Sequence, residues 1–201
     1  MKLNRISEHK AKLIGEDDFF KAAVCIALLE RGEEGGKEYD VLFQVRSSNI
    51  PDQPGDICLP GGALEKDEQP RQAAIRETCE ELLIQPEQIT IIGESDRFHV
   101  RNMMLYPFVG IIHDYHNTFS QEEVAEVFRV PLQFFLQTEP DRYSVDTVVQ
   151  PEENFPYELI VGGKDYRWRT SRIEELFYQY EGRVIWGITA RIMNAFCEII
   201  Q

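Results

Sequence analysis

The chain has 201 residues, 43% hydrophobic, with 21 Lys and Arg against 35 Asp and Glu and a formal net charge of −14. That length allows one domain, here taken as residues 1–201, and the composition excludes disordered and low-complexity classes. A surface this negative repels nucleic-acid phosphate and anionic lipid, so any anionic substrate must be met by a local patch of Arg or Lys or by metal ions.

Residues 1–20 read as an amphipathic lead-in with Leu3, Ile6, Leu13 and Ile14 as contacts. They hold no apolar stretch of the kind a signal peptide needs, and no run anywhere approaches the roughly 20 apolar residues of a membrane span. Residues 22–29 (AAVCIALL) form a continuous apolar run, the mark of a buried strand. The Gly-rich, charged residues 31–37 form a turn, and residues 40–46 (DVLFQVR) return as the second arm of a hairpin. Residues 47–62 (SSNIPDQPGDICLPGG), dense in Pro and Gly, read as a long ordered loop, a place where function concentrates. A helix starts at Pro70 and runs to about Ile84, where Pro86 stops it. Strands are expected at 89–93, 105–113 and 124–130, with short ones at 157–161 and 166–168 and a C-terminal helix over 185–200. Strands mixed with helices in this order imply an α/β sandwich. The scattered cysteines Cys25, Cys58, Cys79 and Cys197 contain no CxxC pair and suit reduced thiols in a cytoplasmic protein.

The most informative segment is 62–84, GALEKDEQPRQAAIRETCEELLI. At about 100° per residue, Glu77, Glu80 and Glu81 share one helix face, and Ile75, Cys79 and Leu82 take the opposite face. Ala73 and Ala74, one turn earlier, leave room for something bulky to approach the acids. Three neighbouring carboxylates repel one another unless a cation or water intervenes. Hard oxygen ligands select Mg²⁺ or Mn²⁺, which keep positions open for water and phosphate. A solvated acidic face is the ordinary reading of such a trio in so acidic a chain. The wider spacing changes that reading: Gly62, five residues, Glu68, seven residues, Arg76-Glu77, two residues, Glu80-Glu81. Six fixed positions recur by chance in about one chain in 100,000.

This pattern resembles the Nudix box of the Nudix hydrolases. The resemblance implies a Nudix-like α/β/α sandwich with a mixed central sheet, and hydrolysis of a nucleoside diphosphate linked to another group. By that resemblance Glu77, Glu80 and Glu81 are divalent-metal ligands, with Glu68 as an outer contact and the Gly62 carbonyl as a further ligand. Arg76 orients a helix glutamate. One position departs: Leu83 stands where the family has Gly. A second pattern, Leu42-Phe43-Gln44-Val45-Arg46-Ser47, Gly55 and Leu59-Pro60-Gly61-Gly62, is similar to the signature of the coenzyme A pyrophosphatase branch, with Pro51 in place of an Arg and Leu59 in place of a Phe. The segments 185–192, 123–124 and 130–132 also look like that branch.

Coenzyme A is strongly anionic, so a −14 protein needs local cations to hold it. Arg46, Ser47, Gly61, Arg97 and Arg101 are the candidate substrate contacts. Glu123 or a helix glutamate is the candidate base. The expected reaction cleaves coenzyme A into 3′,5′-ADP and 4′-phosphopantetheine. Alternatives are the same chemistry on ADP-ribose, a dinucleotide or a nucleoside triphosphate, or a non-catalytic ligand-binding module. The aromatic-rich residues 152–180 are expected to form an insertion, a homodimer interface or a cap on the pocket. His113-Asp114-Tyr115-His116 reads as a solvated turn, and Cys58 lacks a neighbour that would activate it.

Overall fold

In a strand, successive side chains point to opposite faces. The apolar run therefore divides by parity once it becomes the middle of β1 (Phe20–Arg31). Ala22, Ile26 and Leu28 enter the core on one side; Ala23, Cys25, Ala27 and Leu29 enter the core on the other. Burial on both faces makes β1 a central strand. In the computed structural model, which describes residues 3–11, 13–31 and 38–201, it lies inside an eight-stranded mixed sheet.

Strand β2 (Glu38–Arg46) pairs antiparallel with β1 from Leu28↔Val41 to Arg31↔Glu38, as the hairpin reading expects; of the turn expected at 31–37, residues 32–37 lie outside the described residues. Beyond Leu28 and Val41 the two strands part. The Pro/Gly-rich segment re-enters this gap instead of remaining a free loop. Its β3 (Ile57–Cys58) pairs with β2, and its β4 (Gly61–Ala63) pairs with β1 through Ala22↔Ala63, Ala23↔Gly62 and Val24↔Gly61. The open backbone of the split is thereby hydrogen-bonded, as buried polar groups require.

Helix α1 (Pro70–Leu82) crosses one face of the sheet. Strands β5 (Ile89–Glu94), β6 (Phe98–Val100) and β7 (Met103–Ile112) follow, β7 running parallel to β1 along ten paired positions. Strand β8 (Val124–Pro131) takes the outer edge of β2 and leads into α2 (Leu132–Gln137). On the opposite face lie α2, a C-terminal helix α3 (Gly187–Ile200) and a second sheet of β9 (Asp141–Thr147), β10 (Ser171–Tyr180) and β11 (Arg183–Trp186). Phe135, Leu176, Tyr178, Ile185, Met193 and Phe196 share a core there with Ile26, Phe43 and Val130. The three-layer arrangement is the expected one, with a small sheet added to one outer layer. Among the described residues, no helix is long and apolar enough to cross a membrane.

Several local expectations are corrected. Residues 157–161 and 166–168 are not strands: Tyr157–Leu159 and Gly163–Asp165 are 3-10 turns, and Tyr166 and Trp168 meet edge to face in irregular chain. The strands of this region are β9 and β10, and residues 185 and 186 finish β11 before the final helix. Ile6, Leu13 and Ile14 stand exposed and are not packing contacts, while the side chain of Leu3 lies outside the described residues.

Helix α1 ends at Leu82, short of the expected Ile84. Leu83 takes the left-handed conformation (φ 52°, ψ 48°), and the Leu83 and Ile84 N–H groups both donate to the Cys79 carbonyl. Buried Ile84 then pulls the chain back onto the core. This closing turn favours glycine, and the Leu83 side chain is 60% exposed. Leu83→Gly should therefore stabilise the protein by about 1 kcal/mol, raising the melting temperature in a thermal scan; an unchanged or lower value would contradict the strain.

Candidate active site

The split between β1 and β2 sets Gly61 and Gly62 beneath α1. Gly61 has φ 147°, and a Cβ there would collide with the Ala23 carbonyl. Its N–H donates to Glu81 Oε2 at 2.8 Å. A Cβ on Gly62 would lie 2.5 Å from Glu77 Cδ, so the Glu77 carboxylate rests directly on the glycine backbone. Two residues without side chains thus let two helix acids approach the sheet.

Arg76 organises the remaining acids. Its Nε and Nη2 grip Glu68 Oε1 and Oε2, both at 3.0 Å. Its Nη1 reaches Glu77 Oε1 at 2.8 Å and Glu80 Oε2 at 3.2 Å, and Nη2 also donates to the Ala63 carbonyl. A fork engaged on both sides fixes geometry as well as charge. The guanidinium holds the Glu68 carboxyl below the usual range. Burial pushes Glu77 upward, and Arg76 partly offsets this.

Glu81 departs most from expectation. It is 5% exposed and does not share a solvent face with Glu77 and Glu80. The turn that buries Ala74 and Thr78 carries Glu81 inward with them. Burial pushes its pKa up to about 8, against the Gly61 N–H and the Gln44 side chain, which favour the charged form; Glu77 and Glu123 repel that form. Ala73 and Ala74 are also corrected. They are fully buried against Ala23, Met104, Tyr106 and Phe108, and their size lets the helix lie close to the sheet instead of making room for a ligand.

Glu123 comes from the connection between β7 and β8. Thr118 Oγ1 donates to the Leu82 carbonyl at 2.6 Å, and the Ser120 N–H donates to the Glu81 carbonyl at 2.8 Å. The Ser47 N–H donates to the Glu123 carbonyl at 2.8 Å. These bonds fasten the connection to the end of α1 and bring the Glu123 charge to bear on Glu77 and Glu81. Ser47 is buried, with its Oγ accepting from the Asn49 N–H, so it supports this loop.

The donor set is all oxygen, which is what Mg²⁺ or Mn²⁺ takes. Among the described residues, however, no three acidic, His or Cys groups already stand around a common point. Arg76 occupies Glu77 and Glu80, and Glu81 is turned onto Gly61. The residues fit a hard divalent cation by chemistry, repulsion and proximity, and binding one requires Arg76 to share its partners.

Beside Gly61, Gly62 and Ala63 opens a cleft of about 1220 Å³. Arg46, Arg101 and Arg191 line it with the rings of Phe98 and Trp186. Arg31, Arg97, Arg142, Arg172 and Arg183 are each matched to a carboxylate. Among the described residues, the three cleft arginines are not. Arg46 donates to the Asp52 carbonyl, and Arg191 lies 4.6 Å over the Phe98 ring. Arg97 pairs with Glu94 at 2.8 Å, stacks on Tyr106 and does not line the cleft. Sequence reasoning gave Arg191 and Gln44 no role. Gln44 had a signal, an amide in the otherwise apolar LFQV of a central strand. His113 and His116 are exposed, and burial pushes the Cys58 thiol up to about 11, away from nucleophilic use.

Two outcomes follow from this geometry. Gly62→Ala should leave the melting temperature nearly unchanged, because only the end of a flexible side chain must move, yet lower turnover by roughly 100-fold or more; retained turnover would contradict the need for that close approach. Glu81 loses its proton near pH 4.3 when unfolded but near pH 8 when folded. Its contribution to stability is thus fully present below about pH 4.3 and is lost as pH rises through 8. In chelator at pH 8, Glu81→Gln should exceed the wild type in stability by about 4 kcal/mol and show a flatter pH dependence. Parallel pH curves would contradict the burial of this acid.

A profile of the NUDIX domain matches residues 19–148. The chain is 34% identical to the uncharacterized Nudix hydrolase NudL of Enterobacter sp. (strain 638) over 177 residues, covering 87% of this chain and 79% of that one. It is 33% identical over 138 residues to the mouse peroxisomal coenzyme A diphosphatase NUDT7, covering 67% and 56%. It is 30% identical over 197 residues to the mitochondrial Nudix hydrolase 15 of Arabidopsis thaliana, covering 92% and 61%. The chain therefore spans little more than half of the mouse and plant relatives. With its box folded as a loop and helix on a mixed sheet and its domain matched over most of its length, the chain belongs to the Nudix hydrolase family.

Proposed function

We propose that this Nudix hydrolase adds water across the diphosphate of coenzyme A or a derivative, giving 3′,5′-ADP and 4′-phosphopantetheine. The observation that carries the choice of substrate is the trio of arginines without carboxylate partners among the described residues, Arg46, Arg101 and Arg191, in a cleft lined by the Gly61-Gly62 backbone that Glu81 and Glu77 contact. Three such arginines in one cleft of a chain of net charge −14 favour an anionic ligand; Asp52, Asp56 and Glu175 line the same cleft, so its charge is mixed and the arginines mark where the anion would sit. The name of the mouse relative, a coenzyme A diphosphatase, supports the same reading.

Glu77, Glu80 and Glu81 would hold the divalent cation, with Glu68 behind them and the Gly62 backbone beside them. When bound, Mg²⁺ or Mn²⁺ offsets charge on the diphosphate oxygens and acidifies water. Arg76 keeps Glu77 and Glu80 in place, and the Gly61 N–H does so for Glu81. Glu123, facing the same acids from a pinned loop, takes the proton of the attacking water. The free cysteines suit a reducing compartment such as the cytoplasm.

A second reading has one observation in its favour. Pro51 stands where the coenzyme A branch carries an Arg, which loosens the case for the 3′-phosphate and admits ADP-ribose or a dinucleotide. Incubation of coenzyme A and ADP-ribose separately with Mg²⁺ and with Mn²⁺, with products weighed by mass spectrometry, separates the two. The expected result is faster release of 3′,5′-ADP and 4′-phosphopantetheine from coenzyme A. A faster rate on ADP-ribose would replace the proposed substrate.

A further inference from the structure

Strand β9 (Asp141–Thr147) is the outer strand of the second sheet; among the described residues it pairs with β10 on one side only. An unpaired edge of seven residues is a template for another strand. Proteins commonly guard such edges with proline, lysine or like charges. Here the sequence DRYSVDT contains neither proline nor lysine, and two of its three charges, Arg142 and Asp146, are self-complementary. Set antiparallel against itself about Ser144, the strand brings Arg142 opposite the partner's Asp146, and Tyr143 opposite the partner's Val145, each twice. Moving the axis to Tyr143 or Val145 leaves both charges without a partner across the seam.

The surroundings agree with that register. Within one copy, Arg142 lies 3.6 Å from Glu174, and Asp146 lies 2.8 Å from Arg172, both on β10. Across the proposed seam the signs then alternate: Arg172, Asp146, the partner's Arg142, the partner's Glu174. On the opposite face, Trp186 stacks on Phe177, which meets Tyr143 edge to face at 5.5 Å. That aromatic row would continue into the partner's Val145 and Ile173. Tyr143 is 61% exposed and Val145 is 47% exposed in the single chain.

We propose that two copies of this chain associate through β9, joining their three-stranded sheets into one six-stranded sheet with its twofold axis at Ser144. Seven residues a side fall short of a standard interface of about 20–30. The rest of the contact comes from residues 148–170, where Val148, Val149, Leu159, Val161, Tyr166 and Trp168 stand exposed. The contact adjoins the cleft, because Thr147, Ser171 and Ile173 line the cleft and belong to these same strands.

The test is the mass of the full chain in solution together with a site-specific cross-link. Sedimentation at concentrations up to about 100 μM should give twice the chain mass, and a chain-sized mass throughout would overturn the proposal. Under a mild oxidant, Ser144→Cys should give a reducible dimer, since directly opposite residues lie about 4.5–5.5 Å apart at Cα, within disulfide reach. Tyr143→Cys and the wild type should not. A dimer that fails to cross-link through Ser144→Cys, or that links equally through Tyr143→Cys, uses another surface or register and overturns the assignment. Arg142→Asp places a carboxylate against the partner's Asp146 and should raise the dimer dissociation constant about tenfold; an unchanged constant would also overturn it.

Discussion

Several carboxylates cannot share one small volume unless positive charge or protons offset their repulsion. Glu68, Glu77, Glu80, Glu81 and Glu123 are brought together here, and the protein meets the constraint in two ways. Arg76 divides its guanidinium among Glu68, Glu77 and Glu80. Glu81, out of reach of that cation, is buried and keeps its proton to about pH 8. The arrangement is strained in the absence of further positive charge, and a divalent cation bound as proposed would relieve it. The same strain that makes the site receptive also makes the acids costly to the fold, a trade common at catalytic sites.

What makes the crowding achievable is a sheet that splits. Strands β1 and β2 part after four paired positions, and β3 and β4 enter between them. The Gly61 and Gly62 backbone then forms the floor under α1, with no side chain to hold the glutamates away. The connection ending at Glu123 is fastened to the last turn of the same helix. Elements far apart in sequence therefore converge through backbone hydrogen bonds, and the side-chain chemistry inherits their rigidity.

The spacing of Gly62, Glu68, Arg76, Glu77, Glu80 and Glu81 made the helix and its acids legible, and the unbroken apolar run at 22–29 made β1 legible. The inward turn of Glu81 was hidden, because a wheel shows which residues share a face and not which face meets the sheet. Ala74 and Thr78, lying on the same stripe, carried that information. Strand β10 was obscured by Glu174 and Glu175, and β9 by exposure of both its faces, which removes the alternation that marks a half-buried strand. The bonds that fasten Glu123 depend on contacts across about 40–80 residues of chain, which no local pattern encodes. Leu83 illustrates the reverse: the backbone conformation was kept although the residue that favours it was lost.

The central claim is that these acids, one of them protonated, bind a divalent cation. Calorimetric titration of Mn²⁺ into the metal-free protein at pH 7, repeated in buffers of different ionisation enthalpy, tests it most directly. Binding should be accompanied by release of close to one proton, because Glu81 must ionise to ligate the metal, and Glu81→Gln should abolish that release. Binding with no proton release, or binding and release unaffected by Glu81→Gln, would contradict the claim.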